Sequence, residues 1–397
     1  MLLSGKIEAA TIILGYPQQT ASEFAGMVIG WKDGGGNSIV AALDKKLALA
    51  RQGQISKSGL AGIEQDIAEQ LVDDVRRQIR VDDRYFELAD VTRYRKAQCL
   101  GYTQVFYILA KSINLSVRPI NILELDKKGP LLVGFSHVAA IVELADGRVI
   151  MANLVPGGFT SGPFAIADTF ERAGNYLQLK DKNNALGIYK RIQILDGEGL
   201  AAYIYSNRAS VKNSAGQFEQ AAADSSRAIQ LYPALAEAWN NRGIARRNAG
   251  QIEQAISDYT KAVELNPNYA EALNNRGAAY AQSERFEQAI VDYTRAIELN
   301  PAFAQAYSNR GNVYASTGQL TQAIADYDRA IERNPNLAQV YGNRAANYAL
   351  LGKTEQAKKD LAAATQLSPS LASYAKKVSE RFNLGFSVDN TVASAAR

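Results

Sequence analysis

Residues 268–301 read NYAEALNNRGAAYAQSERFEQAIVDYTRAIELNP, and their pattern of large, small and proline positions recurs on either side at a step of 34 residues. Pro233, Pro267, Pro301, Pro335 and Pro369 mark the step, and aligned on them five units run 200–233, 234–267, 268–301, 302–335 and 336–369. One column is large: Tyr205, Trp239, Leu273, Tyr307 and Tyr341. Another is small: Ala209, Gly243, Gly277, Gly311 and Ala345. Two more are alanine throughout, at 221, 255, 289, 323 and 357 and at 228, 262, 296, 330 and 364. Small residues let two antiparallel helices approach closely, and each proline, lacking an N–H, ends the second helix of its unit. Units of this kind bury their apolar faces by stacking on their neighbours. Ser370 to Phe382 is therefore expected to cap the last face, with 383–397 as a tail.

This pattern resembles the tetratricopeptide repeat. The resemblance implies an all-α, right-handed helical solenoid over 199–369, in which the first helix of each unit lines a concave groove for a protein, peptide or partner helix. The columns facing that groove would be Ser206, Asn240, Asn274, Ser308 and Gly342, and Ser210, Ile244, Ala278, Asn312 and Ala346. They are small and amide-rich, able to hydrogen-bond an extended backbone, and Asn240, Asn274, Ser308 and Asn312 are the candidate partner-binding residues. They lack the lysine–asparagine pairing of repeats that clamp a C-terminal carboxylate. The plain alternative is a spacer without a ligand of its own. Arg208, Arg242, Arg276, Arg310 and Arg344 recur with Asp224, Asp258, Asp292, Asp326 and Asp360, always sixteen positions apart. That offset puts one residue on each helix of a hairpin, so an ion pair within the repeat is expected rather than a binding stripe.

Outward from the array, the decisive stretch of the first half is Lys96 to Asn114, KAQCLGYTQVFYILAKSIN. Tyr102, Val105, Phe106, Leu109 and Ile113 recur at steps of three and four, the spacing of a buried helical stripe. Cys99, the single cysteine of the chain, falls in the first turn, where unpaired N–H groups and the helix dipole favour a thiolate. It is equally readable as a small apolar core residue. The single histidine, His137, lies downstream in a strand-like run. Cys-Leu-Gly-Tyr at 99–102, with the apolar helix after it, resembles the transglutaminase-like (papain-like) superfamily over roughly 59–154. The resemblance implies an α+β domain across 1–198, with Cys99 as nucleophile, His137 as general base and acid, and Asn153 as the group that orients the ring. Most members carry Asp at the third site; Asn orients the imidazole but stabilises its cation less. The Cys99 N–H and the side chain of Gln98 or Tyr94 are the candidate oxyanion donors. The implied activity is thiol-dependent amide hydrolysis or acyl transfer on a protein or peptide recruited by the repeats. The alternative is a non-enzymatic interaction scaffold carrying a degenerate copy of the fold.

Local patterns add detail. Ile7 to Leu14 reads as a short helix, and Leu60 to Arg80 as an amphipathic helix packing beside the Cys99 helix. Strands are expected at Ser116 to Leu123, at an edge because of Pro119, at Leu131 to Leu144 and at Val149 to Leu154. A three-residue turn at Ala145–Gly147, with Gly147 left-handed, would pair 144 with 148 and 139 with 153, and place His137 and Asn153 on one face. A two-residue turn would part them. Ile166 to Asp196 reads as an extension linking the halves. Trp31 to Ser38 is glycine-rich but lacks the ending of a phosphate loop.

With 397 residues, two domains are expected. A net charge of +4 argues against nucleic acid or an anionic membrane as partner. One cysteine permits no internal disulfide, and one cysteine with one histidine makes a zinc site unexpected. No cofactor is expected. The polar-broken start and the lack of a long apolar run suggest a cytoplasmic protein.

Overall fold

The computed structural model describes residues 2–14, 16, 18–32, 38–53, 55–81, 96–97, 99–125, 137–152, 165–173, 176–180 and 189–386. The chain forms two compact units, 1–208 with 230–233, and 209–229 with 234–397.

The first unit opens with four helices, α1 (Leu2–Ile13), α2 (Gln18–Ile29), α3 (Ile39–Gln52) and α4 (Lys57–Gln78). Two short strands, β1 (Arg80–Val81) and β2 (Lys96–Ala97), pair in parallel. Helix α5 (Cys99–Ser112) follows and packs against α1, α4 and two sheet strands, β3 (Ser116–Leu125) and β4 (His137–Glu143). The expected single stripe understates its burial: every residue from Thr103 to Ala110 is buried. Gln104, polar inside this packing, is satisfied by the Tyr16 hydroxyl, which donates to its Oε1 at 2.6 Å.

The sheet has six strands in the order β5-β4-β3-β8-β7-β6, with β5 (Val149–Ala152), β6 (Phe170–Ala173), β7 (Tyr176–Leu179) and β8 (Tyr189–Ile194), all neighbours antiparallel. A short helix, α6 (Ile166–Thr169), precedes β6. One face gathers Ile120, Ala139, Ile141, Met151, Phe170, Leu179 and Ile192 into a core. Two expectations change here. The segment from Ile166 to Asp196 is half of the sheet, with β8 paired directly to β3. And β3 is central, between β4 and β8, despite Pro119. Within a strand the N and O of one residue point the same way. The Pro119 carbonyl accepts from Leu195 N–H at 2.8 Å, one step beyond the Ile120–Ile194 rung. The missing N–H thus falls at the end of the β8 ladder, beyond the last paired rung, and costs only the one return bond to Leu195.

The β4–β5 turn takes the three-residue form. Ala140 pairs with Ala152 and Glu143 with Val149, Leu144 N–H donates to Arg148 O at 2.8 Å, and Gly147 has φ +86°. Glu64 of α4, 4% exposed, holds this turn. Its carboxylate accepts the Ala145 N–H at 2.7 Å and the Arg51 guanidinium at 3.0 Å. Asn153 and the loops at 126–130 and 155–162 lie outside the described residues.

Helix pairs follow: α7 (Gly197–Ser214) and α8 (Phe218–Leu231), α9 (Ala236–Asn248) and α10 (Ile252–Leu265), α11 (Ala270–Gln282) and α12 (Phe286–Leu299), α13 (Ala304–Ser316) and α14 (Leu320–Arg333), α15 (Ala338–Leu350) and α16 (Thr354–Leu367). From α9 onward each first helix packs on its own second helix, and each second helix on the next first helix. All five second helices end two residues before their prolines. The helix turns use left-handed glycines at 216, 250, 318 and 352; the third unit has Glu284 there, at φ 59°.

The small column has a physical partner. A Cβ on Gly243, Gly277 or Gly311 would lie 2.6, 2.9 or 2.9 Å from a ring carbon of Tyr259, Tyr293 or Tyr327. These three tyrosines are among the largest fully buried side chains. In the first and last units the column carries Ala209 and Ala345, and the ring position carries Ser225 and Leu361. Tyr374 of the terminal helix α17 (Ala372–Arg381) performs the same packing on Gly342, with its ring carbon 2.9 Å from a built Cβ. Beyond α17, Leu384 is buried and Phe386 packs on the same cluster.

Gly277→Ala is therefore expected to cost about 1–2 kcal/mol, the overpacking penalty less the helix-propensity gain. Combined with Tyr293→Leu, it should show a favourable coupling of about 1–2 kcal/mol in a double-mutant cycle. Urea unfolding of the four proteins measures this; additive effects would contradict the ring–glycine contact.

Candidate functional site

The arginine column is paired. Arg242 meets Asp258 with Nε–Oδ2 and Nη2–Oδ1 distances of 2.9 and 2.8 Å, and Arg276 meets Asp292 at 2.7 and 2.8 Å. Arg310 meets Asp326 at 2.8 and 2.8 Å, and Arg344 meets Asp360 at 2.7 and 2.8 Å. Each is a two-pronged contact of planar guanidinium with carboxylate. The aspartates are buried and the arginines mostly so, with side-chain exposures of 15, 14, 17 and 15%. The remaining Nη1 of each arginine reaches backwards, to Ser226, Thr260, Thr294 and Asp328 on the second helix of the preceding unit. One side chain thus ties three helices together. Aromatic rings pack over the guanidinium: Trp239 lies 4.8 Å from Arg242, and Tyr341 and Tyr348 lie 5.5 and 5.8 Å from Arg344. The hydrogen bonds of Asp292 and Asp326 hold Arg276 and Arg310 above the ordinary arginine pKa, against the opposing effect of burial. In the first unit Lys212 donates to Asp224 at 2.7 Å, and Arg208 stacks on Tyr205 at 4.9 Å.

Asn240, Asn274 and Ser308 are buried between first helices rather than open on a surface. Asn240 Oδ1 accepts from Asn275 and Asn274 Oδ1 from Asn309, both at 3.0 Å. Asn312 is half-buried, and its Oδ1 accepts from Asn343 and from the Tyr327 hydroxyl, both at 2.9 Å. The donors belong to a column absent from the sequence reading: Asn207, Asn241, Asn275, Asn309 and Asn343, asparagine in all five units and always just before the arginine. That constancy was the available signal. The neighbouring column Ser210, Ile244, Ala278, Asn312 and Ala346 is uniformly half-exposed, one small or apolar position per first helix apart from Asn312. By helical spacing it lies on the same face as the buried amide column four residues earlier.

In the first unit, Cys99 is the first residue of α5 and His137 the first of β4, where it pairs with Ile122. Asn153, Gln98 and Tyr94 lie outside the described residues. Among the described residues, no helix is long and apolar enough to cross a membrane.

Models of the tetratricopeptide repeat match residues 236–269, 270–303, 304–337 and 338–371, in the same 34-residue step. These residues are tetratricopeptide repeats. No family match shows a transglutaminase-like domain, and no curated protein matches the chain. Among solved structures, MamA is 28% identical over 44% of this chain and 94% of its own, with a TM-score of 0.37. YrrB, a TPR protein with an unusual peptide-binding site, is 26% identical over 44% of this chain and 90% of its own, with a TM-score of 0.37. PilF of Pseudomonas aeruginosa is 20% identical over 48% of this chain and 91% of its own, with a TM-score of 0.42.

The pairing predicts unequal mutational costs. Asp292→Ala leaves Arg276 without its carboxylate inside the helix stack and should cost about 3 kcal/mol. Asp328→Ala removes only the outer contact of Arg344, at a carboxylate 44% exposed, and should cost about 1 kcal/mol or less. Equal losses in urea titrations would mean the pairs do not bear on stability as their geometry indicates.

Proposed function

We propose that the protein is an interaction scaffold whose repeats take an extended segment of a partner protein along the first-helix face. The observation that carries this is the half-exposed column Ser210, Ile244, Ala278, Asn312 and Ala346, which repeats once per unit beside a row of amides. The amides of Asn240 and Asn274 are already engaged between helices. Their role is to fix the spacing of the face, while the small residues leave room for a bound backbone. Random peptides displayed on phage should be enriched by the full chain and lost with Ala278→Trp, which fills the face at the middle unit. Circular dichroism of the variant should stay helical. No enrichment, or enrichment that ignores Ala278→Trp, would remove the groove reading.

A second reading attaches to the first unit. Cys99 opens α5, His137 opens β4, and α5 packs on β4, so the one cysteine and one histidine begin two elements in contact. This supports assigning Cys99 as nucleophile, His137 as its base and Asn153 as orienter in an amide hydrolysis or acyl transfer on the recruited protein. A papain-like or transglutaminase-like fold for this unit belongs to the same reading. Iodoacetamide should then label Cys99 at about pH 6, well below the free thiol value of about 8.5. His137→Ala should move the labelling midpoint up toward that value, and Asn153→Ala should move it less. A midpoint near 8.5 that ignores His137→Ala would leave the scaffold alone as the function.

A further inference from the structure

The arginines of the array are nearly all committed. Arg242, Arg276, Arg310 and Arg344 grip aspartates, Arg246 also holds Asp258 at 2.7 Å, Arg285 pairs with Glu253, and Arg329 pairs with Glu332. Arg247 is different: it is half-buried, and its guanidinium makes no hydrogen bond, ion pair or ring contact among the described residues, whereas Arg295, likewise without a side-chain partner, is exposed. The matching positions in the other units are Asn213, Ala281, Ala315 and Ala349, so the feature is confined to the second unit.

Its place on the helix matters. Arg247 is seven residues beyond Asn240 and three beyond Ile244, which puts all three on one face of α9. That is the face proposed above to receive a peptide. A second unsatisfied donor lies buried beneath the same helix. The Tyr259 hydroxyl is closed off from solvent and has no hydrogen-bond partner. In the fourth unit the equivalent hydroxyl, of Tyr327, donates to Asn312 Oδ1 at 2.9 Å. In the second unit Ile244 stands at that position, packed against Tyr259, and offers no acceptor. This part of the face therefore holds a cation without a counter-charge, above a hydroxyl that is closed off from solvent. The balance is basic: Arg242 and Arg246 share Asp258, and the acid of α9 itself is Glu237, in the opposite end turn.

We propose that Arg247 receives a carboxylate from the docked peptide, so that the scaffold selects acidic segments. This rests on the scaffold reading above. A charge-assisted contact between guanidinium and carboxylate is short, directional and about twice as strong as a neutral hydrogen bond. In a half-buried setting it is also less screened than at an open surface.

The test uses fluorescence anisotropy with the full chain and three labelled octapeptides. One alternates Asp and Ala with an amidated end, one alternates Asn and Ala with an amidated end, and one is all Ala with a free carboxylate. The Asp peptide should bind about tenfold or more tighter than the Asn peptide, with affinity falling as salt rises. Arg247→Ala should erase the difference, and Arg247→Lys should keep part of it. Preference for the all-Ala free acid, lost in Arg247→Ala, would assign the carboxylate to a chain end and support the same site. Equal binding of the Asp and Asn peptides, or a preference that survives Arg247→Ala, overturns the proposal. A small change in melting temperature in Arg247→Ala without a change in binding also overturns it, because that is what a cation merely complementing the helix C-terminus would give. If phage-selected peptides still bind, are still blocked by Ala278→Trp and ignore Arg247→Ala, this proposal falls while the scaffold stands. If no peptide binds at all, both fall.

Discussion

A single arginine in each of units two to five, reaching to three helices at once, is the contact on which the repeat array depends. Within its own unit it grips an aspartate two-pronged, fixing the distance and rotation between the two helices of the hairpin. Its third nitrogen reaches the previous unit, so the same group also sets the offset between neighbouring units. A buried ion pair contributes little net stability, because desolvation offsets most of the attraction. What it contributes here is geometry: units two to five, of differing surface, keep one spacing because a rigid planar group measures it. The glycine–tyrosine contact then becomes possible, since only that spacing brings a ring against bare helix backbone at Gly243, Gly277 and Gly311.

The chemistry left for a partner follows from what this framework consumes. Asparagines that look like ligands in sequence are engaged between first helices, and the tyrosines that could donate from below are buried with raised pKa. The open positions are small residues, and among them one cation without a counter-charge. On the proposed scaffold reading, a face that is internally satisfied at most positions and unsatisfied at one has a local selectivity.

The array was legible because its constraints repeat. An Arg–Asp offset of sixteen residues can be read directly as a cross-hairpin pair, and all four pairs seen in units two to five obey it. The small column was equally visible, but its dependence on the ring position shows only when Ala209 with Ser225 and Ala345 with Leu361 are set beside the glycine–tyrosine units. In the first unit the β4–β5 register was legible from turn length and the freedom of Gly147. The strands β6 to β8 were not: they are short, interrupted and rich in exposed charge, as in Phe170–Ala173, and their identity comes from pairing with β3. Pro119 misled because the usual rule counts a missing donor without asking which rung it would have served. The catalytic reading drew on Cys99, His137 and Asn153 being rare or well placed in sequence, and spacing alone cannot bring three distant residues to one point.

The backward reach of the arginines gives the array a direction in time as well as in space. As the chain leaves the ribosome, a newly made hairpin lacks the clip that joins it to its neighbour, because that clip belongs to the first helix of the unit made next. Each unit is thus latched by its successor, and the last by Tyr374 of α17, which settles on Gly342. During synthesis these clips become available like the teeth of a zip from the amino-terminal end, one unit behind the ribosome, and a chain cut short at any unit boundary leaves its final tooth without a clip.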